Sequence, residues 1–225
     1  MTSPATQLRL RRQDLVFRDP YEKLLDLFNA WPKYDDYVAE GHSPPDQIVR
    51  ADIEVINAYA SMGARSKYEV WQDVIDAGPL PDLRAIDPGL DLFLASEASW
   101  AQADAHSNLE TLFKSVRAKG IGIAVSTKVL HIKRPRLIPV CDSLVLRLFD
   151  LPPGEIASGV ALIASLRGQR HQWLPLLQDL QKRLRSAGTE RSLVRIADAL
   201  LWSMGRDLGD RAKRGALTPP EIIQT

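Results

Sequence analysis

Length, composition and charge set the first limits on this chain. Its 225 residues are 45% hydrophobic and 25% charged, which is typical of a globular protein that can bury a sizeable core. The formal net charge of +1 means that any nucleic-acid-binding surface must be local, and the single cysteine, Cys141, excludes an internal disulfide framework. We find no signal-peptide core near Met1 and no apolar window of membrane-spanning length, so we predict a cytoplasmic protein without a membrane partner.

The N-terminal third predicts a tail followed by short helices. Residues 1–18 are polar and rich in arginine, which indicates a flexible tail. Asp19-Pro20 is a helix-start pair, and its helix should end before Pro32 because proline cannot continue a helix interior. Apolar residues at helical spacing then predict helices that begin near Ser43 and near Tyr68.

The remainder of the chain is also helical in pattern. Residues 100–117 form either one long helix or two. Helical spacing predicts further helices at four places, 124–132, 155–167, 171–185 and 189–204. Glycine and charge dominate afterwards, so residues 206–225 are predicted to be a mobile tail. No alternating run indicates a strand, and we predict an all-α fold, a single multi-helix globular domain over residues 19–205.

A tight glycine turn between two helical patterns is the most informative feature. Lys119, Gly120, Ile121 and Gly122 interrupt an apolar pattern that ends near Arg117 and resumes directly afterwards. Glycine lets a backbone approach a ligand closely, and N–H groups at the start of a helix bind anions. Because Gly-x-Gly also occurs in ordinary helical turns, a phosphate site here depends on the charge around the turn.

An acid-free basic run surrounds this turn. From Thr111 to Cys141 the chain has no Asp or Glu but several lysines and arginines, so this stretch is strongly positive. Such a run supplies phosphate contacts without reading bases, although the alternative of a solvated helix surface stays open. Together with the turn it gives the candidate DNA-binding residues, which are Lys119, Gly120, Ile121, Gly122, Lys128, His131, Lys133, Arg134 and Arg136.

Helical geometry predicts the direction of two of these side chains. At 100° per residue, Lys128 and His131 share one stripe, while Val129 and Ile132 lie on the opposite, core-facing side. We therefore expect Lys128 and His131 to point outward. His131 has no His, Cys or acidic partner at ligand spacing, so no metal site is predicted.

Asp142 stands at the start of the next apolar helix. Asp is among the preferred N-cap residues, so its simplest role is to bond the first amides of that helix. A catalytic carboxylate at the same place is the functional alternative.

This central segment resembles the helix-hairpin-helix base-excision DNA glycosylase superfamily. Gly120-Ile121-Gly122 is similar to the hairpin of that superfamily, and the spacing in sequence from Gly122 to Asp142 is similar to that between the hairpin and the catalytic aspartate of those enzymes. The resemblance therefore implies a DNA-glycosylase-like fold with a helix-hairpin-helix motif, and a role in DNA repair. The stretch from Thr127 to Ser143 also looks like a family of bacterial proteins to which no activity is assigned.

The departures from the superfamily pattern limit what the resemblance implies. Members with lyase activity carry a lysine where this chain has Ala124, and Lys128 lies one turn further along as a displaced amine. Cys141 is an extra residue before Asp142, Leu144 replaces the usual histidine, and the cluster-binding cysteines of some members are absent. The implied enzyme is a monofunctional glycosylase in which Asp142 stabilises the sugar cation and orients water, while the excised base occupies an aromatic-walled pocket.

Three functions follow from these observations. Our first hypothesis is a non-catalytic DNA-binding protein of the helix-hairpin-helix type, with DNA as the partner. The second is the monofunctional glycosylase, and the third is a helical scaffold that binds another protein. No cofactor is predicted, apart from the monovalent cation that the resemblance implies at the hairpin, and no oligomeric state is predicted.

Overall fold

Helices form most of the chain in this computed structural model. The structure describes residues 6–10, 13–17, 20–30, 32–41, 43–60, 68–116, 121–153 and 155–213. The predicted all-α, multi-helix globular domain is confirmed, with the addition of a β-hairpin before the first helix. None of the described helices is long and apolar enough to cross a bilayer.

Twelve α-helices lie in the described part of the chain. They are α1 (Tyr21–Ala30), α2 (Pro32–Glu40), α3 (Arg50–Val55), α4 (Gln72–Asp76), α5 (Pro81–Ala85), α6 (Glu97–Gln102), α7 (Ala105–Ser115), α8 (Ile123–Lys133), α9 (Ser143–Leu148), α10 (Ile156–Gly168), α11 (Arg170–Ser186) and α12 (Leu193–Lys213). A π-helix (Ile56–Ala60) continues α3, and a 3-10 helix (Tyr68–Trp71) precedes α4.

The N-terminal segment contains two strands where the sequence predicts a flexible tail. Strands β1 (Thr6–Leu10) and β2 (Gln13–Phe17) pair antiparallel, with Thr6 opposite Phe17 and Leu10 opposite Gln13. The tail prediction is therefore wrong for both strands. The alternation in each strand covers only a few residues between arginines, which is too short for a sequence pattern to distinguish it from an irregular tail.

Pro32 follows the end of α1 and is itself the first residue of a second helix. Leu24 and Phe28 are buried along α1, which ends at Ala30 as the sequence predicts. Proline is compatible with the first helical position, where its missing N–H would have no partner, so α2 starts at Pro32. This short helix brings Tyr34 and Asp35 into the core.

The segment that the sequence left as one helix or two forms two. Asp104 has a left-handed backbone (φ 42°) between α6 and α7, and aspartate is one of the few residues besides glycine that adopts this conformation readily. Leu109, Leu112 and Phe113 then face the core from α7.

Close helix contacts hold the C-terminal half together. α7 packs on α10 and α9 packs on α12. At these crossings, a Cβ atom added to Gly159 would lie 2.4 Å from Phe113 Cε1, and one added to Gly205 would lie 2.9 Å from Leu144 Cβ. The glycines therefore permit the close approach.

The last helix is longer than the sequence predicts. α12 continues to Lys213, so residues 206–213 are helical and the predicted tail is wrong for that part. The sequence did not predict this extension because glycine and charged residues replace the apolar stripe after residue 205. Neither residue type excludes a helix, since the backbone hydrogen bonds of the helix do not depend on apolar side chains.

Candidate functional site

The first turn of α8 is open and has no side-chain cap. Gly122 is the N-cap residue and is exposed, and a Cβ added to it would meet no atom of the described residues within 4 Å. Its carbonyl accepts from Val125 N (3.0 Å) and Ser126 N (3.1 Å), whereas the amides of Ile123 and Ala124 come too early in the helix for such a bond. No acidic residue lies in this first turn. The turn therefore has the features of an anion site.

Two of the four predicted turn residues lie within the described chain. Ile121 is 9% exposed, so its side chain anchors the turn to the core and only its backbone is available for a ligand. Lys119 and Gly120 lie outside the described residues.

Asp142 is the N-cap of α9, as predicted. Its Oδ1 accepts from Leu144 N at 2.9 Å and from Val145 N at 3.0 Å, and the side chain is half-buried. A hydrogen bond fixes the residue before Asp142 against α8, because the Cys141 amide donates to Thr127 Oγ1 at 2.9 Å. Asp142 is thereby held beside the middle of α8.

Lys128 is half-buried and interacts electrostatically with Asp142. Burial lowers the pKa of its ammonium group, while the carboxylates of Asp142 and Asp198 act in the opposite direction. Its backbone carbonyl accepts from Tyr34 Oη at 3.1 Å. Lys128 is therefore less exposed than the predicted outward stripe implies.

Asp198 on α12 completes a small group of charges around Asp142. It is 4% exposed and accepts from Arg195 Nη1 at 2.8 Å. Burial raises its pKa to about 7, opposed by Arg195 and reinforced by Asp142 and Asp35. We call Lys128, Asp142 and Asp198 the acid–lysine cluster.

Sequence analysis missed Asp198 although a signal was present. Val194, Ala197 and Leu201 form part of the buried face of α12, and Asp198 lies among them. A charged residue inside an apolar stripe is uncommon unless it has a partner, so its position alone indicates a buried interaction.

Three predicted DNA-binding residues are inside the protein. His131 is fully buried and its Nδ1 lies 2.7 Å from the Ile138 carbonyl, so the expected outward orientation is wrong. Lys133 Nζ is 2.6 Å from Asp52 Oδ2, and both side chains have no exposed area. Arg134 is 1% exposed. None of these side chains can reach a phosphate in this arrangement.

The Arg134 guanidinium forms hydrogen bonds to the surrounding loops. It donates to the carbonyls of Ile86 (3.0 Å) and Pro45 (2.6 Å), and also to the carbonyl of Leu83. These bonds connect the end of α8 to the segments around α5 and before α3. The residue is a structural crosslink.

The other described members of the basic run lie in different places. Lys114 on α7 is 72% exposed, with Glu110 3.9 Å away. Arg136 is 52% exposed and pairs with Asp91 at 3.2 Å, beyond the C-terminal end of α8. Two of the five tryptophans, Trp71 and Trp173, are fully buried in the core. The described residues contain no group of three His, Cys, Asp or Glu side chains placed to hold a metal ion.

Comparison with known proteins assigns the chain to a family. No curated protein and no solved structure is significantly similar to it. The model of a family of unknown function (DUF6308) matches residues 26–205, which include the turn, the acid–lysine cluster and the buried basic residues. Because this match covers most of the chain, the protein belongs to that family.

Proposed function

We propose that this protein binds the DNA backbone through the turn between α7 and α8, without reading sequence. The observation that carries the proposal is the first turn of α8 at Gly122, whose amides have no side-chain cap in the part of the chain that the structure describes. An N-terminus of this kind favours a phosphate because its N–H groups and the helix dipole both attract negative charge. We also propose that this segment is related to the helix-hairpin-helix DNA glycosylases and that the protein is cytoplasmic, as the sequence led us to expect.

The charge available for this contact is smaller than the sequence suggests. With Lys133 and Arg134 buried, the contact depends on the basic residues nearest the turn, which are Lys114, Arg117 and Lys119. About three phosphate contacts would weaken duplex binding about 40-fold between 50 and 200 mM salt.

A salt titration with a charge-reversal variant tests this proposal. We expect wild-type affinity for a random-sequence duplex to fall with salt as above, and Lys119→Glu to weaken binding at low salt and to reduce the slope. Lys182→Glu is the matched control, because Lys182 is exposed on α11. Equal weakening by both substitutions would show that only overall charge matters, and no detectable duplex binding would refute the proposal.

The acid–lysine cluster supports a second candidate, a monofunctional DNA glycosylase. Asp142 uses Oδ1 to cap α9, and its charge also acts on Lys128 and Asp198. In such an enzyme the carboxylate would stabilise the sugar cation as the bond to the base breaks. Water would then add to the sugar, and the base would leave with a proton.

Asp142→Asn separates catalysis from capping. Asparagine is as good an N-cap as aspartate, so we expect thermal stability to be unchanged. Any release of uracil or alkylated bases from duplex DNA should be lost, with abasic sites as the readout. Base release that persists in Asp142→Asn would exclude Asp142 as the catalytic group.

A further inference from the structure

A cleft at the C-terminal end of α8 is separate from the turn at its N-terminal end. It has a volume of about 530 Å³ and is bordered by α2, residues 91–94, the turn after α8, and the residues that lead into α12. Gly122 precedes α8 and His131 lies in its last turn, which separates them by about 13 Å along the helix axis. A cleft of this size suits a small organic ligand.

Each charged side chain of the cleft lining already has a partner of opposite charge. Four arginines and three carboxylates line it, and they form four contacts, Arg136–Asp91 (3.2 Å), Arg185–Glu190 (2.8 Å), Arg191–Asp35 (3.6 Å) and Arg195–Asp35 (2.6 Å). A charged ligand would have to displace one of these pairs. The lining therefore favours an uncharged one.

Two buried polar atoms of the lining have no hydrogen-bond partner among the described residues. They are Nε2 of His131 and Nε of Arg191. The Arg191 Nε–H is 3.6 Å from Asp35 Oδ2, which is too long for a hydrogen bond. Buried polar groups are normally paired, so both atoms are positions where a ligand can bond.

The two atoms require opposite groups from a ligand. His131 borders the cleft and is fully buried, and burial lowers its pKa to about 4, so the ring is neutral at pH 7. With Nδ1 directed at the Ile138 carbonyl, the proton lies on Nδ1 and Nε2 offers a lone pair. Arg191 Nε–H can only donate. The lining thus presents one acceptor and one donor.

We propose that this cleft binds a small uncharged molecule with an amide-type N–H and C=O, the N–H donating to His131 Nε2 and the carbonyl accepting from Arg191 Nε. Cyclic amides, imides and free nucleobases have these groups. The site does not depend on DNA binding, because it uses none of the residues of the α8 N-terminal turn.

Uracil and 1,3-dimethyluracil are a matched pair of probes for this site. They share the ring and both carbonyls, but methylation removes the N–H donors. We expect uracil to shift the ¹⁵N resonance of His131 Nε2 in a saturable titration, and 1,3-dimethyluracil to bind at least tenfold more weakly. The chain has only four histidines, which simplifies assignment. No shift with uracil, or equal binding of both probes, would overturn the proposal.

Two substitutions locate the binding. Ala39→Trp adds a large side chain at an exposed position of the lining, and Arg191→Lys removes the Nε–H while it keeps the charge beside Asp35. We expect each to weaken uracil binding at least tenfold. Ala164→Trp, at an exposed position of α10 outside the lining, should leave binding unchanged. Wild-type affinity in both Ala39→Trp and Arg191→Lys would place the ligand elsewhere and refute the assignment.

Discussion

At the residue scale, the basic run illustrates how a charge pattern can mislead. Lys133 and Arg134 are adjacent to exposed Arg136 in a sequence with no nearby acid, which is the pattern of a solvated or DNA-facing surface. Lys133 instead pairs with Asp52 on α3, far earlier in the chain, and Arg134 bonds backbone carbonyls. Neither partner can be recognised from local sequence, so burial could not be predicted.

Removing the Lys133 ammonium should destabilise the fold. In Lys133→Met, Asp52 keeps the Val49 N–H (2.8 Å) and the Tyr37 hydroxyl (3.1 Å) but loses its counter-charge. An unpaired buried carboxylate should lower the free energy of unfolding by about 3–5 kcal/mol, measured by urea denaturation. Adding Asp52→Asn removes the charge and should recover part of the loss.

Lys182→Met is the control for this experiment. Lys182 is exposed on α11, so its substitution should change the free energy of unfolding by less than about 0.5 kcal/mol. If Lys133→Met were equally neutral, the buried pair would not be part of the native structure.

His131 and Asp198 should make the free energy of unfolding change with pH in opposite directions. The pKa of His131 falls from 6.5 to about 4, so the unfolded chain binds more protons in that range and stability decreases as pH falls through it. The pKa of Asp198 rises from 3.8 to about 7, so the folded chain binds more protons there and stability decreases as pH rises. Between about pH 4 and 6.5 the two contributions oppose each other.

Single substitutions should separate these contributions. In Asp198→Asn only the His131 contribution remains. Compared with wild type, the free energy of unfolding of this variant should fall by about 1 kcal/mol for each pH unit of acidification. In His131→Asn the Asp198 contribution remains, and the free energy should fall with increasing pH. Urea denaturation at pH 4.5, 5.5 and 6.5 measures both slopes, and slopes of the same sign would contradict the assigned protonation states.

At the element scale, several of the longer helices could be predicted and the short ones could not. α8, α10 and α11 lie within a few residues of their predicted bounds, because apolar spacing and glycine or proline breaks define them. α2 and α5 each begin at a proline, which the sequence pattern presents as a break. The β-hairpin and the last residues of α12 lie in stretches that the sequence pattern presents as tails.

The α9–α12 crossing should be sensitive to one methyl group. In Gly205→Ala the new Cβ would lie 2.9 Å from Leu144 Cβ and 3.0 Å from the Leu144 carbonyl oxygen, so the helices must separate. We expect a loss of about 1–3 kcal/mol in the free energy of unfolding. In Gly168→Ala, on α10, the new Cβ meets no atom of the described residues within 4 Å, so this substitution should be neutral or stabilising. A stable Gly205→Ala protein would mean that α9 and α12 are not in close contact.

At the scale of the whole molecule, the sequence could predict only part of the candidate site. The open start of α8 and the capping role of Asp142 follow from glycine, helical spacing and N-cap preference. Lys128, Asp142 and Asp198 belong to three different helices or their caps, and Asp198 is far from both of the others in sequence, so their electrostatic interaction could not be predicted. With a net charge of +1, the chain as a whole has little attraction for DNA, so the account depends on that one turn.

The most direct test compares the DNA affinity of Gly122→Asp and Gly122→Asn. Both side chains fit among the described residues, because a Cβ at this position meets none of their atoms within 4 Å, and both are good N-caps that should stabilise α8. They differ only in charge at the proposed phosphate site. Fluorescence anisotropy with a labelled duplex at low salt should show about tenfold weaker binding for Gly122→Asp, near 1.4 kcal/mol, and nearly wild-type binding for Gly122→Asn. Equal affinities of the two variants would contradict a phosphate contact at the start of α8.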